Sequence, residues 1–304
     1  MKIFITGGTG FVGRTLVRHL IDSGHQITVL TRVLPTNGAP GAPRLFHGDP
    51  VKPGPWQEEL RNHEAVINLA GSSIFCRWNR VNRQKILDSR VLSTRNIVTA
   101  LSPSGSMVKV LLNCSAVGYY GDRGDEELTE ASPIGQGFLA EICQAWEAEA
   151  KQAEKIGIRV VRCRLGVVLG NSGGALEQMT RVFRAGLGTR LGSGRQWFPW
   201  IHQSDLARIF SLLLENPDIS GPVNCVAPQS VTNLELTRAL AEVLQRPLLL
   251  PPVPAFILKL LQGEASALLL NSQKVRPEVL TRAGFNYNFP ALVAALTDLL
   301  TSGK

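Results

Sequence analysis

The sequence predicts an α/β fold with a doubly wound parallel Rossmann sheet and a smaller C-terminal α/β substrate lobe. The first observation is that short apolar stretches alternate with longer helix-periodic segments, which is the order typical of a parallel sheet. The second is the opening of the chain, where the apolar residues 3–5 run into three glycines, Gly7, Gly10 and Gly13. An amphipathic segment follows at once, so a strand, a tight turn and a helix are expected in succession.

The three glycines and the start of the first helix form a dinucleotide-binding pattern. Gly7 can adopt the backbone angles of the turn, Gly10 leaves room for a pyrophosphate, and Gly13 lets the helix lie close to the strand. The helix directs its unpaired N–H groups and the positive end of its dipole at the phosphates. The predicted dinucleotide contacts in this stretch are Gly7, Thr9, Gly10, Phe11, Val12 and Gly13.

The end of the second strand, residues 26–30, indicates which dinucleotide binds. NAD sites usually place Asp or Glu there to hold the ribose 2′-hydroxyl, whereas this strand continues into Thr31 and Arg32. Because an arginine attracts a 2′-phosphate, NADP(H) is the predicted cofactor. The alternative is that Arg32 is an ordinary solvated surface residue.

Two later strand ends supply further predicted cofactor contacts. Asp49 follows a third strand at Arg44–His47 and is either an adenine contact or a simple turn former. A fourth strand, 65–69, ends in small residues that let the nicotinamide half approach, since ligands bind beyond the carboxyl ends of parallel strands. These predicted contacts are Leu69, Ala70 and Gly71.

The order of elements divides the chain into two parts. Residues 1–170 are the expected NADP-binding Rossmann domain, with a return segment at about 200–226, and residues 171–304 are largely the C-terminal lobe. The fifth and sixth strands are expected at 108–113 and 159–165, and a helix at 138–156 between them. In the lobe, the glycine-rich stretch 186–194 is expected to be a loop, and Thr232 with Glu235 forms a capping box.

Composition limits the classes of partner. The net charge of +8 suits an anionic ligand, but no block of five like charges occurs, which favours a small molecule over nucleic acid. The five cysteines are far apart, which argues against a disulfide framework and a metal site, and favours a reducing, cytoplasmic location. Prolines and a lysine interrupt the apolar stretch 248–261, so neither a membrane span nor a membrane partner is expected.

Several motifs together resemble a known family. Residues 6–13, 68–71, 120–121 and 166–170 are similar to the extended short-chain dehydrogenase/reductases, the group that includes nucleotide-sugar epimerases. The stretches 77–78, 89–90, 118–121, 192–195 and 198–202 narrow the resemblance to an atypical branch, the epimerase family proteins of the YfcH type. The resemblance implies a bound NADP, cofactor contacts from Arg90 and Gly166, and a substrate lobe built from the C-terminal third.

The usual catalytic pair of the resembled family is missing. Its Tyr-x-x-x-Lys pattern on the helix after the fifth strand corresponds here to Leu139 and Cys143. The predicted replacements for the acid/base group are Ser115, Tyr119 and Tyr120, because a positioned phenol can exchange a proton with a substrate. The alternative is that Tyr120 is a packed aromatic residue and Ser115 caps a loop.

A substrate of anionic character is predicted from two arginines and an aromatic residue. The predicted substrate contacts are Arg164, Arg195, Trp200 and His202. The arginines could instead pair with acidic residues, and Asp205 beside His202 equally suits a helix N-cap. Two functions remain open: an oxidoreductase or epimerase-like enzyme, or a non-catalytic NADP-binding sensor or scaffold. The sequence leaves the oligomeric state open.

Overall fold

The structure is a computed structural model that describes residues 1–34, 41–101 and 105–301. A surface connection expected at residues 36–43 lies mostly outside these ranges. The elements of the first part of the chain are β1 Lys2–Thr6, α1 Phe11–Asp22, β2 Gln26–Thr31, β3 Arg44–His47, α2 Trp56–Arg61, β4 Ala65–Asn68, α3 Arg80–Leu101, β5 Val110–Ala116, β6 Glu127–Leu128, α4 Phe138–Lys151, β7 Arg159–Leu165 and β8 Val167–Leu169.

The second part of the chain contains shorter strands and most of the small helices. They are α5 Gly174–Arg184, β9 Trp197–Phe198, β10 Trp200–His202, α6 Gln203–Glu215, β11 Gly221–Cys225, β12 Val231–Thr232, α7 Asn233–Val243, α8 Ala255–Gln262, α9 Ala267–Leu270, β13 Lys274–Val275, α10 Glu278–Arg282 and α11 Leu292–Thr301.

Seven parallel strands form the central sheet in the order β11-β7-β5-β4-β1-β2-β3. The inner strands are apolar on both faces because helices cover both sides of the sheet; Ile3, Phe4 and Ile5 are each 0 % exposed. This architecture confirms the predicted doubly wound α/β fold. The strand order reverses between β1 and β4, which places the carboxyl ends of these two strands at the position where such sheets bind ligands.

The end of β5 differs from its predicted bound, and the difference affects the site. β5 continues to Ala116 because Cys114 and Ser115 pair with Cys163 and Arg164 of β7, so Ser115 belongs to the strand rather than to a loop. α3 begins at Arg80, directly after Asn79, whose side chain accepts a hydrogen bond from the Asn82 N–H at 2.9 Å.

Short strand pairs connect the C-terminal part to the Rossmann sheet. β8 pairs with β10, β9 with β12, and β6 with β13, while β11 forms the edge of the central sheet. The division of the chain into two domains at residue 170 stays a prediction. β11 lies within residues 200–226, the segment in which the chain is expected to return to the Rossmann domain. The predicted capping box is confirmed, since Thr232 and Glu235 exchange both hydrogen bonds at the start of α7.

A buried carboxylate attaches the C-terminal segment to α6. Asp205, 0 % exposed, accepts hydrogen bonds from the N–H groups of Asn288 and Phe289, both at 2.8 Å. Arg208 lies 3.2 Å from the same carboxylate. The N-cap of α6 is His202, whose Nδ1 accepts from the Ser204 N–H, so the alternative that Asp205 caps the helix is wrong.

We expect Asp205→Ala to lower the free energy of unfolding by about 3 kcal/mol, because two backbone N–H groups of the C-terminal segment lose a buried, charged acceptor. Asp218→Ala is the matched control, since Asp218 is exposed and its replacement is expected to change stability by less than about 0.5 kcal/mol. Denaturant unfolding measures both. Equal small losses would show that the C-terminal segment is held by its apolar packing alone.

Candidate active site

The turn between β1 and α1 has the geometry that a dinucleotide needs. Gly7 has φ +72°, and a Cβ atom there would lie 2.7 Å from the carbonyl carbon of Leu69. A Cβ atom on Gly13 would lie 2.4 Å from the oxygen of Gly7, so glycine is required for the helix to approach the turn. Thr9 and Gly10 are exposed beside these two buried contacts.

The first turn of α1 suits a pyrophosphate. Its leading N–H groups, on Phe11, Val12 and Gly13, have no partner within the helix, and the turn contains no acidic side chain. The ring of Phe11 packs against Gly170 and Gly174. A Cβ atom on Gly170 would lie 2.8 Å from a carbon atom of this ring, and a Cβ atom on Gly174 would lie 2.7 Å from one. The segment before α5 therefore lies against the start of α1.

The adenosine end of the predicted site is formed by β2 and β3. Arg32 follows β2 and is exposed, and none of the described residues forms an ion pair with it. The Gly48 N–H donates to the Thr31 oxygen at 2.9 Å, which brings Asp49 to the same edge of the sheet. Asp49 accepts a hydrogen bond from the Val51 N–H, so it also serves as a turn residue.

A buried amide network supports the loop after β4. Asn68, 0 % exposed, accepts a hydrogen bond from Thr6 at 2.6 Å and donates to Thr94 and Asn113 at 2.9 Å and 2.7 Å. It also accepts from the Ala70 N–H at 3.2 Å. The network joins β1, β4, β5 and α3 beneath the predicted cofactor contacts Leu69, Ala70 and Gly71.

Arg90 and Gly166 are placed differently with respect to this loop. The Arg90 guanidinium lies beside Gly71, 3.2 Å from the position of a Cβ atom there, and donates to the Ser72 oxygen at 3.2 Å. Gly166 is buried, and a Cβ atom there would lie 2.9 Å from the Val226 side chain and 3.0 Å from the Pro199 oxygen. Close backbone packing is therefore enough to explain this glycine.

A buried ion pair occupies the carboxyl ends of β5 and β7. Arg164 donates to both oxygens of Glu147, at 2.8 Å and 2.9 Å, and both side chains are more than nine-tenths buried. Ser115 donates to the same carboxylate at 2.8 Å and is itself 2 % exposed. Ser115 and Arg164 therefore use their hydrogen bonds inside the protein. For Arg164, the structure has the alternative expected from the sequence, which is a pair with an acidic residue.

Tyr120 belongs to the same network and is 0 % exposed. Its hydroxyl lies 2.7 Å from Asn224 Oδ1 and 2.9 Å from the Thr129 oxygen, and it accepts from Arg164 at 2.9 Å. Burial raises the pKa of Tyr120 to about 12, against the opposing effect of Arg164. These contacts speak against the predicted acid/base role of Tyr120 and favour the alternative of a packed aromatic residue.

Tyr119 is the predicted acid/base candidate that stays accessible. It is half-buried, and its ring lies under the Arg164 guanidinium, with 3.5 Å between the Cζ atom and the ring centroid. Tyr120 meets the ring edge to face at 5.4 Å. No hydrogen bond of the Tyr119 hydroxyl to any described residue is present.

The two positions of the missing catalytic pair are filled by packing. Leu139 and Cys143 lie against the turn at residues 117–120, where a Cβ atom on Gly118 would be 3.1 Å from Leu139 Cβ. Cys143 donates to the Ala116 oxygen at 3.6 Å, and burial raises the pKa of its thiol to about 11. The thiol is therefore neither an exposed nucleophile nor a substitute for the lysine.

Of the predicted substrate contacts, only Arg195 is exposed. Trp200 is 1 % exposed in the core, and its Nε1 donates to the Gln229 oxygen. His202 is 2 % exposed and stacks on Phe289; its Nε2 lies 3.3 Å from Asp298, within ion-pair distance but poorly aligned for a hydrogen bond. Burial lowers the pKa of His202. Both residues therefore hold the fold together rather than line a cleft.

Sequence reasoning did not identify Glu147 as the centre of the polar network. A signal was present, because Glu147 lies on the same stripe of α4 as the buried Ala140, Cys143 and Trp146. An acidic residue on an apolar helical stripe needs a buried partner. Only the fold shows that this partner is Arg164, on a different element.

Two classes of site find no support in the part of the chain that the structure describes. No group of three or more His, Cys, Asp or Glu side chains is arranged to hold a metal ion within residues 1–34, 41–101 and 105–301. None of the helices described there has both the length and the apolar character needed to cross a bilayer.

The fold and the glycine turn define a dinucleotide-binding protein of the extended short-chain class. The chain belongs to the NAD dependent epimerase/dehydratase family, whose model matches residues 3–225. A second model, a domain of unknown function (DUF1731), matches residues 253–299. The predicted family resemblance is confirmed.

Particular relatives extend along the whole chain. The chloroplastic epimerase family protein SDR39U1 homolog of Arabidopsis thaliana is 38% identical over 99% of this chain and 87% of its own length. The epimerase family protein YfhF of Bacillus subtilis is 36% identical, covering 100% of this chain and 99% of its own. A crystal structure of human SDR39U1 (isoform 2) with NADPH superposes with a TM-score of 0.85 at 33% identity, covering 98% of this chain and 99% of that one.

We expect Glu147→Ala to lower the free energy of unfolding by about 3–5 kcal/mol, because it leaves the Arg164 charge buried without a partner. Glu149→Ala is the matched control: it lies one half-turn further along α4 and pairs with Arg95 at the surface, where such pairs contribute about 1 kcal/mol or less. Denaturant unfolding compares the two. A loss for Glu147→Ala as small as that of the control would show that water reaches Arg164.

Proposed function

We propose that this protein binds NADP(H) and uses it as an oxidoreductase or epimerase-like enzyme acting on an anionic small molecule. The observation that carries the proposal is the turn of Gly7 and Gly13, which brings the acid-free N-terminus of α1 to the carboxyl ends of β1 and β4. The human relative solved with NADPH has the same fold along nearly its whole length, which supports the choice of cofactor.

The residues present fit the phosphorylated form of the cofactor. Arg32 would hold the 2′-phosphate, the first turn of α1 the pyrophosphate, and the loop at Leu69–Gly71 would lie beside the nicotinamide half. No acidic residue stands at the end of β2 to prefer a free ribose 2′-hydroxyl. When bound, the cofactor supplies hydride exchange, and the chain must supply orientation and the accompanying proton.

Tyr119 is the residue we propose for proton transfer. Ser115 and Tyr120 use their hydroxyls inside the buried network, whereas Tyr119 is half-buried at the carboxyl end of β5. The Arg164 guanidinium over its ring would stabilise negative charge that develops on the phenol oxygen. Tyr119 would then exchange a proton with a substrate oxygen.

The proposal of an anionic substrate and of a cytoplasmic location comes from two further observations. Arg164 is committed to Glu147, so the charge that would meet an anion is that of the exposed Arg195, in a turn at residues 192–195. The five cysteines are all free thiols, which suits a reducing compartment.

A non-catalytic NADP(H) sensor or scaffold is the second candidate. It is favoured by Leu139 and Cys143, which fill the positions of the usual catalytic pair with apolar packing. Nucleotide binding does not depend on these residues, so binding without turnover is chemically consistent with the same structure.

We expect Arg32→Ala to weaken NADPH binding by about ten- to a hundredfold and to leave NADH binding nearly unchanged, because one charge-assisted contact is lost. Calorimetry with both nucleotides measures the effect. Arg18→Ala, which removes an exposed arginine on α1, is the control and is expected to change neither affinity. Equal losses for NADPH and NADH in the Arg32 variant would contradict the proposed 2′-phosphate contact.

We expect Tyr119→Phe to reduce turnover by about a hundredfold or more, as removal of a general acid typically does. Tyr120→Phe is the matched control, because it also removes one phenol oxygen but is expected to lower stability and to leave turnover per folded molecule intact. NADPH oxidation with phosphorylated sugars and keto acids provides the assay. Unchanged turnover in Tyr119→Phe would exclude its role, and no turnover by the parent protein would favour the second candidate.

A further inference from the structure

Exposed apolar side chains are concentrated in two segments of the chain. Among the described residues, sixteen large apolar side chains are exposed, and eight of them lie at 182–187 or 248–261. Single exposed apolar residues are ordinary on protein surfaces, whereas a concentration of them marks an interaction site. The eight are Val182, Leu187, Leu248, Leu249, Leu250, Phe256, Leu260 and Leu261.

Helix α8 is the centre of this concentration. Its sequence is Ala-Phe-Ile-Leu-Lys-Leu-Leu-Gln, and only Leu258 is buried. Phe256, Leu260 and Leu261 are 68%, 82% and 74% exposed. A helix that packs only against a core has one apolar stripe and a polar outer face. α8 is apolar on its outer face as well, so the fold leaves an apolar face without a partner.

The two segments are joined through backbone hydrogen bonds. The Val253 N–H donates to the Arg190 oxygen at 3.1 Å, and the Gly192 N–H donates to the Val253 oxygen at 2.8 Å. Thr189 also donates to the Pro251 oxygen at 2.8 Å. The extended chain that leads into α8 therefore lies directly beside the chain that follows α5.

Both segments, together with the residues that flank them, carry only positive charges. Residues 178–204 and 246–262 contain no acidic residue, while Arg184, Arg190, Arg246 and Lys259 are exposed and pair with no described carboxylate. The first acidic residue after α8, Glu264, is paired with Arg83. Exposed apolar and cationic groups thus lie together on two adjoining segments. This combination complements a lipid surface, which has anionic headgroups over an apolar interior.

We propose that this face docks on an anionic lipid bilayer. The apolar–basic face, defined by Leu187, Leu249, Phe256 and Leu260 with Arg190 and Lys259, would insert its side chains at the headgroup boundary and place its cations among lipid phosphates. A second copy of the chain fits less well, because pairing this face with itself opposes like charges. Docking needs no spanning helix, so the proposal is consistent with the expected absence of a membrane span but replaces the expectation that the protein has no membrane partner.

The test is co-sedimentation of the whole protein with lipid vesicles. We expect binding to vesicles in which about a third of the lipid is phosphatidylglycerol, little binding to pure phosphatidylcholine, and weaker binding as salt rises. Leu260→Glu is expected to remove binding, and Lys259→Gln to lower the partition coefficient about fivefold. Leu260 is 82% exposed, so its replacement is expected to leave the thermal midpoint unchanged.

Met107→Glu is the matched control, because Met107 is also exposed, at 54%, but lies just before the amino end of the inner strand β5 and outside both apolar segments. It is expected to bind vesicles as the parent protein does. Equal binding to the two lipid compositions, or undiminished binding by Leu260→Glu, would overturn the proposal. A concentration-dependent dimer that Leu260→Glu dissociates, without vesicle binding, would identify a second copy as the partner instead.

Discussion

The buried pair of Arg164 and Glu147 constrains the chemistry at the carboxyl end of the sheet. Each charge would be costly without the other, so the polar groups around them are arranged to complete their hydrogen bonds. Ser115 and Tyr120 are taken into this arrangement and lose the freedom that an acid/base group needs. The same guanidinium, however, lies over the ring of Tyr119 and leaves that hydroxyl unengaged by the described residues. One interaction therefore determines which hydroxyl is left for the proposed proton transfer.

Cofactor binding in this chain depends on a different kind of group. The predicted phosphate contacts are backbone N–H groups at the start of α1, supported by glycines whose missing side chains allow the close approach. Neither the glycine turn nor Arg32 contacts the buried network around Arg164 and Glu147. The predicted dinucleotide contacts are therefore independent of the positions of the usual catalytic pair, which Leu139 and Cys143 fill. Both proposed functions include this nucleotide binding.

The sequence was sufficient wherever the backbone alone sets the structure. The strands Arg44–His47 and Arg159–Leu165, the glycine turn and the capping box at Thr232 follow from local patterns, and the structure has them where they were expected. The side-chain roles of Arg164, Trp200 and His202 did not follow, because they depend on partners that the fold brings from distant segments. Glu147, Gln229 and Asp298 are those partners, and no local spacing connects them.

The proposed position of NADP(H) is between Arg32 and Tyr119, across the carboxyl ends of β2, β1, β4 and β5. A crystal structure of the protein grown with NADPH would show whether the nucleotide lies there. We expect the 2′-phosphate within hydrogen-bond distance of Arg32, the pyrophosphate on the N–H groups of Phe11 and Val12, and the nicotinamide ring in a cleft that also contains the Tyr119 hydroxyl. A nucleotide whose 2′-phosphate points away from Arg32, or whose nicotinamide is shielded from Tyr119 by Leu139, would exclude this position.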